Sequence, residues 1–120
     1  MLDSDNTCNT DCPPRDVLDL IGSKWVIMIL CCLKSGPLRT GELMRAATGI
    51  SQKMLTQTLR DLEYNGFVER ISHPEVPPRV EYRLTGLGHS LSELTLVMQQ
   101  WAVANYPAIL AQRSRAVGQN

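Results

Sequence analysis

No stretch of this 120-residue chain approaches the roughly 20 consecutive apolar residues that a bilayer-spanning helix needs. The longest apolar run, Trp25 to Leu33, is too short and sits inside an amphipathic pattern. The opening Met1-Leu2-Asp3-Ser4-Asp5 is acidic and polar, where a secretory signal puts basic residues ahead of an apolar stretch. A cytoplasmic protein with no membrane partner is expected. Net charge is also lacking. Twelve basic side chains (12 Lys+Arg) balance 12 acidic ones, which argues against a protein that coats nucleic acid by charge alone. Cysteine is sparse, and neither a Cys-x-x-Cys pair nor a Cys/His cluster of zinc spacing occurs. The two histidines, His73 and His89, lie far along the chain from every cysteine. Phosphate-cradling glycine loops, paired catalytic carboxylates, internal repeats and low-complexity segments are missing as well. The expectation is therefore a non-enzyme with no cofactor and no metal site.

What is present is unevenly placed. Up to Asp19 the acids Asp3, Asp5, Asp11, Asp16 and Asp19 face a single base, Arg15. The remainder carries 11 basic and 7 acidic residues, a surplus suited to a reader that touches few phosphates.

Residues 1–11 read as a flexible tail. Pro13-Pro14 favours a helix start, and Val17, Leu18, Leu20 and Ile21 give that short helix an apolar face before Gly22-Ser23 breaks it. A second helix is predicted from Lys24 to Lys34, with Val26, Ile29, Leu30 and Leu33 at buried-face spacing. Cys31 and Cys32 fall in it and are expected to pack in the core. After Gly36-Pro37, Leu38-Arg39-Thr40 is a short extended piece, and Gly41 to Ala47 a short third helix. Thr48-Gly49-Ile50 forms a turn, and Ser51 is an N-cap for a fourth helix running to Asn65, with Leu55, Leu59 and Leu62 inward.

The period then turns strand-like. Phe67–Ile71 and Val80–Leu84 are the arms of a hairpin, and His73-Pro74-Glu75-Val76-Pro77-Pro78-Arg79 is a projecting wing that its prolines keep out of regular pairing. Thr85 caps a final long helix in which Leu87, Leu91, Leu94, Met98 and Trp101 form a seam. Pro107 is expected to end or kink it, and residues 114–120 to fray as a C-terminal tail. The fold class is thus mainly α with a small β-hairpin (α+β), a winged helix-turn-helix over residues 12–113.

Opposite its leucines the fourth helix carries Gln52, Lys53, Thr56, Gln57 and Arg60. Glutamine bonds adenine in bidentate fashion, arginine and lysine favour guanine, and threonine meets a phosphate or a thymine methyl. Ser51 and the free N–H groups at the helix start suit a phosphate. Arg79 at the wing tip is placed to enter the minor groove, or else pairs with Glu75 or Glu81 as an ordinary surface arginine. Lys24, Arg39 and Arg45 are candidates for backbone contacts. The competing reading of the polar face is a solvated surface.

The final helix is more apolar than one core-facing stripe requires, since Leu96, Val97 and Val103 lie off its seam. A homodimer is expected, with Leu18, Ile21, Leu91, Leu94, Met98 and Trp101 in the interface. Cys12 stands at a helix start beside Arg15, which favours a thiolate, while Asp11 and Asp16 oppose it. Cys8 in the tail is its candidate resolving partner.

The segments Leu18-Asp19-Leu20-Ile21-Gly22-Ser23-Lys24-Trp25, Gly49 to Gln57, and Pro74-Glu75-Val76-Pro77-Pro78-Arg79-Val80-Glu81-Tyr82 resemble the HxlR-type transcriptional regulators. The likeness spans about Cys12 to Trp101. It implies an architecture similar to MarR-type regulators: a homodimeric winged helix on an inverted-repeat operator in double-stranded DNA. By position Lys53, Thr56, Gln57 and Arg60 take the recognition role and Arg79 the wing role. Cys12 matches a cysteine that in some members senses oxidants or electrophiles. One departure is visible: Gly86 follows Thr85 where members usually carry an acid, and Gly88 comes soon after. Two glycines there imply a loose helix start or a close approach to another backbone. The leading expectation is a sequence-specific DNA-binding regulator, a repressor, responsive through Cys12. The alternatives are a thiol-based redox enzyme and a winged-helix module that binds protein.

Overall fold

A computed structural model describes residues 15–118 of the chain. Five helices and three strands follow in the order α1 (Arg15–Ile21), α2 (Lys24–Leu33), β1 (Leu38–Arg39), α3 (Thr40–Ala46), α4 (Gln52–Tyr64), β2 (Val68–His73), β3 (Arg79–Leu84) and α5 (Gly86–Gly118). The sheet is antiparallel in the order β1-β3-β2, so the extended piece at Leu38-Arg39 adds a third strand to the expected hairpin. This mainly helical fold with a small sheet is the winged helix-turn-helix expected from the sequence.

The core lies where the apolar spacing puts it. Val26, Ile29, Leu30 and Leu33 of α2 meet Leu43 of α3, Leu55, Leu59 and Leu62 of α4, and Phe67, Val68 and Leu84 of the sheet. Gly66 ends α4 at φ +82°, the left-handed conformation that residues with a Cβ rarely adopt. The Phe67 N–H then donates to the Leu62 carbonyl and the Gly66 N–H to that of Glu63, at 2.9 and 3.1 Å. That pair of reversed bonds satisfies the carbonyls left over at the helix end and turns the chain into β2.

Both strand boundaries shift outward from the sequence reading. β2 reaches His73 and β3 begins at Arg79, which face each other in register, so only residues 74–78 project as the tip. Arg79 therefore stands at the base of the wing and not at its tip. The period-2 pattern missed this because its last pair, His73 opposite Arg79, is polar on both sides.

The start of α5 is held firmly. Thr85 Oγ1 accepts from the Gly88 N–H at 3.0 Å, the expected cap, and donates to the Gly66 carbonyl at 2.6 Å. Gly88 is buried against Phe67, where an added Cβ would lie 2.0 Å from the Phe67 carbonyl oxygen. Close backbone approach is observed at Gly88, whereas Gly86 has open space at its Cβ position.

α5 also outlasts its expected end, running through Pro107 and on to Gly118 where fraying was expected from Ser114. A proline removes one backbone bond. Ala102, Ala104, Ala108 and Ala111 around it are strong helix formers and carry the helix past that loss. At 33 residues α5 is about 50 Å long. No residue beyond Thr95 in it is buried by the described chain. No helix is long and apolar enough to cross a membrane among the described residues.

Candidate nucleic-acid interface

α3, the turn at residues 47–51 and α4 form the helix-turn-helix. The Ile50 N–H bonds the Ala47 carbonyl at 3.1 Å, and Ile50 and Ala47 are both buried, so the angle between the two helices is fixed by packing. Ser51 takes the extended backbone of an N-cap, and its Oγ accepts from the Met54 N–H at 3.0 Å. The cap fixes where α4 begins and hence which side chains share a face.

That face is open. Gln52, Lys53, Thr56, Gln57 and Arg60 are all exposed, while Leu55, Thr58, Leu59 and Leu62 on the opposite side are buried. Neither Lys53 nor Arg60 takes part in an ion pair among the described residues. Two of the five side chains are pre-oriented. Gln52 Nε2 donates to Thr56 Oγ1 at 3.5 Å, a long bond, and Gln57 Nε2 donates to Asp61 Oδ1 at 3.0 Å. The second matters for recognition because it fixes which end of the Gln57 amide is the donor. One N–H and the carbonyl oxygen stay free, the pair that adenine requires. Asp61 was not singled out from the sequence, although its four-residue spacing from Gln57 is the helical signal for such a contact.

The remaining candidates fall around this face unevenly. Arg39 is exposed as the N-cap residue of α3, with its backbone N–H donating to the Glu42 carboxylate at 2.8 Å. Arg45 is exposed and Lys24 lies over the Trp25 ring, 4.8 Å from its centroid. Arg79 is half-buried and its Nη2 lies 3.2 Å from Glu75 Oε2, the ordinary surface pairing weighed as its alternative role. Beside it His73 Nε2 and Glu81 Oε1 meet at 2.9 Å across the hairpin.

The dimer candidates separate into two groups. Leu94, Met98 and Trp101 are exposed at 53, 49 and 62 %, and Leu18 on α1 at 59 %. Leu91 is buried in the chain's own core and Ile21 packs half-buried against it, so these two are committed within the subunit. Of the five seam residues of the final helix only Leu91 serves the domain, while Leu87 before it and Leu94, Met98 and Trp101 after it are exposed. Cys8 and Cys12 lie outside the described residues. Cys31 is exposed on α2, contrary to its expected core packing, because Ile29, Leu30 and Leu33 take the inward positions around it. Cys32 is half-buried against the core, and burial, with neighbouring Cys31 second, holds its thiol above the ordinary range. Such a thiol is a poor nucleophile at neutral pH.

With this geometry in hand, comparison with known proteins decides the family. Residues 20–109 match the HxlR-like helix-turn-helix family, three-quarters of the chain. The chain belongs to that family. It is 43 % identical over 112 residues to YtfH of Escherichia coli K12, an HTH-type transcriptional regulator, covering 93 % of this chain and 89 % of that one. The solved structure of YtfH from Salmonella typhimurium superposes with a TM-score of 0.81 at 43 % identity, over 88 % of this chain and 95 % of the other. The redox regulator HypR in its oxidized form superposes at 0.71 with 40 % identity, over 78 % and 97 %. This HxlR-like protein is accordingly a helix-turn-helix transcriptional regulator by family, and the open face of α4 is its candidate reading surface.

Proposed function

We propose that the protein binds double-stranded DNA sequence-specifically as a homodimer, with α4 in the major groove, and represses transcription from an inverted-repeat operator. The observation that carries this reading is the exposed, cation-bearing face of α4 set by the Ser51 cap. A helix of this width fits the major groove and presents three or four side chains to base edges. Gln57 and Arg60 are the base readers, Ser51, Lys53, Thr56 and Arg39 the phosphate contacts. Two such helices address half-sites about 34 Å apart.

The exposed half of α5 supports the dimer. Leu94, Val97, Met98, Trp101, Val103 and Tyr106 are all exposed in the single chain. Leu94, Val97, Met98 and Trp101 recur at helical spacing, and a bare apolar stripe of that kind belongs to an interface. Leu18 of α1 adds to it.

Binding to the DNA upstream of the protein's own gene, measured at several salt concentrations, tests the reading. Arg60→Ala is expected to cost about 1–3 kcal/mol of affinity and to relax preference at one base pair. Arg39→Ala is expected to weaken all sequences alike and to lower the salt slope by about 0.9 per subunit. Wild-type protein that prefers its operator over scrambled DNA, with both variants indistinguishable from it, would show the roles misassigned. A protein-docking winged helix would leave no salt-dependent duplex binding at all, and a thiol enzyme would turn over peroxide or disulfide without DNA.

Cys12 makes the regulator responsive to oxidants or electrophiles, with Cys8 as the resolving thiol. HypR, similar over most of its length, is named a redox regulator, and burial raises the Cys32 thiol's pKa, which weighs against it as the responsive cysteine. Diamide takes two electrons and two protons from a pair of thiols, leaving a disulfide and the reduced hydrazine. Treated wild-type protein is expected to change its operator affinity severalfold, and Cys12→Ser to keep the untreated value. A Cys12→Ser protein that still responds in full removes the sensor.

A further inference from the structure

Arg79 is held in a pose that leaves it unsatisfied. Among the described residues its guanidinium meets a single acceptor group, the Glu75 carboxylate, at 3.2 Å, and its Nε is buried with no hydrogen-bond partner. A buried N–H without an acceptor carries a desolvation cost that any better-placed anion removes. A guanidinium forks naturally onto two oxygens, and a phosphate supplies them. The carboxylate it now meets is exposed to solvent by half and sits on the wing itself. Between Glu75 and Arg79 lie Val76, Pro77 and Pro78, with Pro74 on the other side. The ring of each proline fixes φ, so this loop has few conformations and keeps the two charges opposed. The Glu75 N–H is in turn bonded to the His73 carbonyl at 2.8 Å. The wing therefore carries its own anion beside its own DNA-directed cation.

We infer that Glu75 is a specificity-determining gate: it occupies Arg79 in free and loosely bound protein and yields it only to a phosphate seated close against the wing. This rests on the DNA-binding reading of the preceding subsection. In a loose, non-specific complex the wing stays electrically neutral and adds nothing to affinity. At the operator, where α4 is fully inserted, the phosphate approaches near enough to exchange with the carboxylate. Glu75 thus subtracts affinity unequally, more from wrong sequences than from the right one.

The test compares wild type, Glu75→Gln, Arg79→Ala and the double variant, each as the full chain. Each is titrated against the operator duplex and a scrambled duplex of equal length over a series of salt concentrations. Removing the carboxylate gives the scrambled complex one more phosphate contact per wing, a gain of roughly eightfold at 0.1 M salt with a slope steeper by about 0.9. The operator complex gains only the cost of opening a half-exposed pair, less than about fivefold per wing. The ratio of the two affinities is expected to fall, and the gain to vanish in the double variant relative to Arg79→Ala. Equal gains on both duplexes, no gain, a loss of affinity on Glu75→Gln, or the same gain without Arg79 each overturn the gate. An independent readout needs no DNA. The Nε–H of Arg79 is expected to exchange slowly with solvent in the wild type and quickly in Glu75→Gln. Wild-type protein that protects this proton yet binds neither duplex defeats the DNA reading. Wild-type protein that binds its operator with the proton unprotected defeats the gate alone.

Discussion

Gly88→Ala is expected to cost the protein about 3 kcal/mol or more, a large share of a small domain's stability. Overpacking of a well-filled site costs typically about 1–3 kcal/mol. Here the added carbon would lie 2.0 Å from the Phe67 carbonyl oxygen and 3.1 Å from its carbon, both rigid backbone. Relief requires α5 to move away from the start of β2, and that movement breaks the Thr85 bonds to Gly66 and Gly88 and opens the pocket filled by Leu84 and Leu91. A small domain has only about 5–15 kcal/mol in hand. Gly86 is the internal control. It lies two residues earlier in the same helix with open space around its Cβ position, so Gly86→Ala is expected to stabilise by up to about 1 kcal/mol. Urea unfolding followed by circular dichroism reads both. Similar midpoints for the two variants would mean that α5 does not rest on Phe67 as described.

The second large effect concerns assembly. Leu94 and Trp101 are exposed in the single chain, so replacing both with aspartate disturbs no core residue of the subunit and helix content is expected to stay unchanged. In the proposed dimer the same change buries two unpaired charges in an apolar seam. Sedimentation is expected to show a folded monomer at micromolar concentration where the wild type is a dimer. Operator affinity is expected to fall by about 10²–10⁴-fold, because each half-site then binds without its tethered neighbour. A double variant that remains dimeric, or a monomer that binds as tightly as the wild type, would remove α5 from the interface.

Most of this architecture could be read from side-chain spacing, because the spacings that betray a helix are the ones that build its core. Leu55, Leu59 and Leu62 point inward and Lys53, Thr56, Gln57 and Arg60 outward for a single reason, the period of α4 counted from Ser51. What escaped the sequence depends on which neighbour each atom meets. Leu91 and Leu94 belong to one seam by periodicity, yet the first is spent on the subunit core and the second is not. Cys31 and Cys32 are adjacent and chemically identical, and only the rotation of α2 separates an exposed thiol from a half-buried one. Arg79 looked like a tip residue because prolines precede it, but its pairing with His73 extends the ladder and carries it down to the base of the wing. The Asp61 contact lies four residues from a singled-out side chain, a spacing too common to distinguish without coordinates, whereas the Arg79–Glu75 pair was one of two alternatives the sequence left open.

The joint at Thr85 has a mechanical meaning. The exit of α4 and the entry of α5 are stitched together through Gly66, Phe67 and Gly88 with no slack between them. A tilt of α5 is therefore handed directly to α4, as a crank turns a blade. In the proposed dimer, the lean of one copy on the other would then set the distance between the two reading helices, and hence the half-site spacing they can grip.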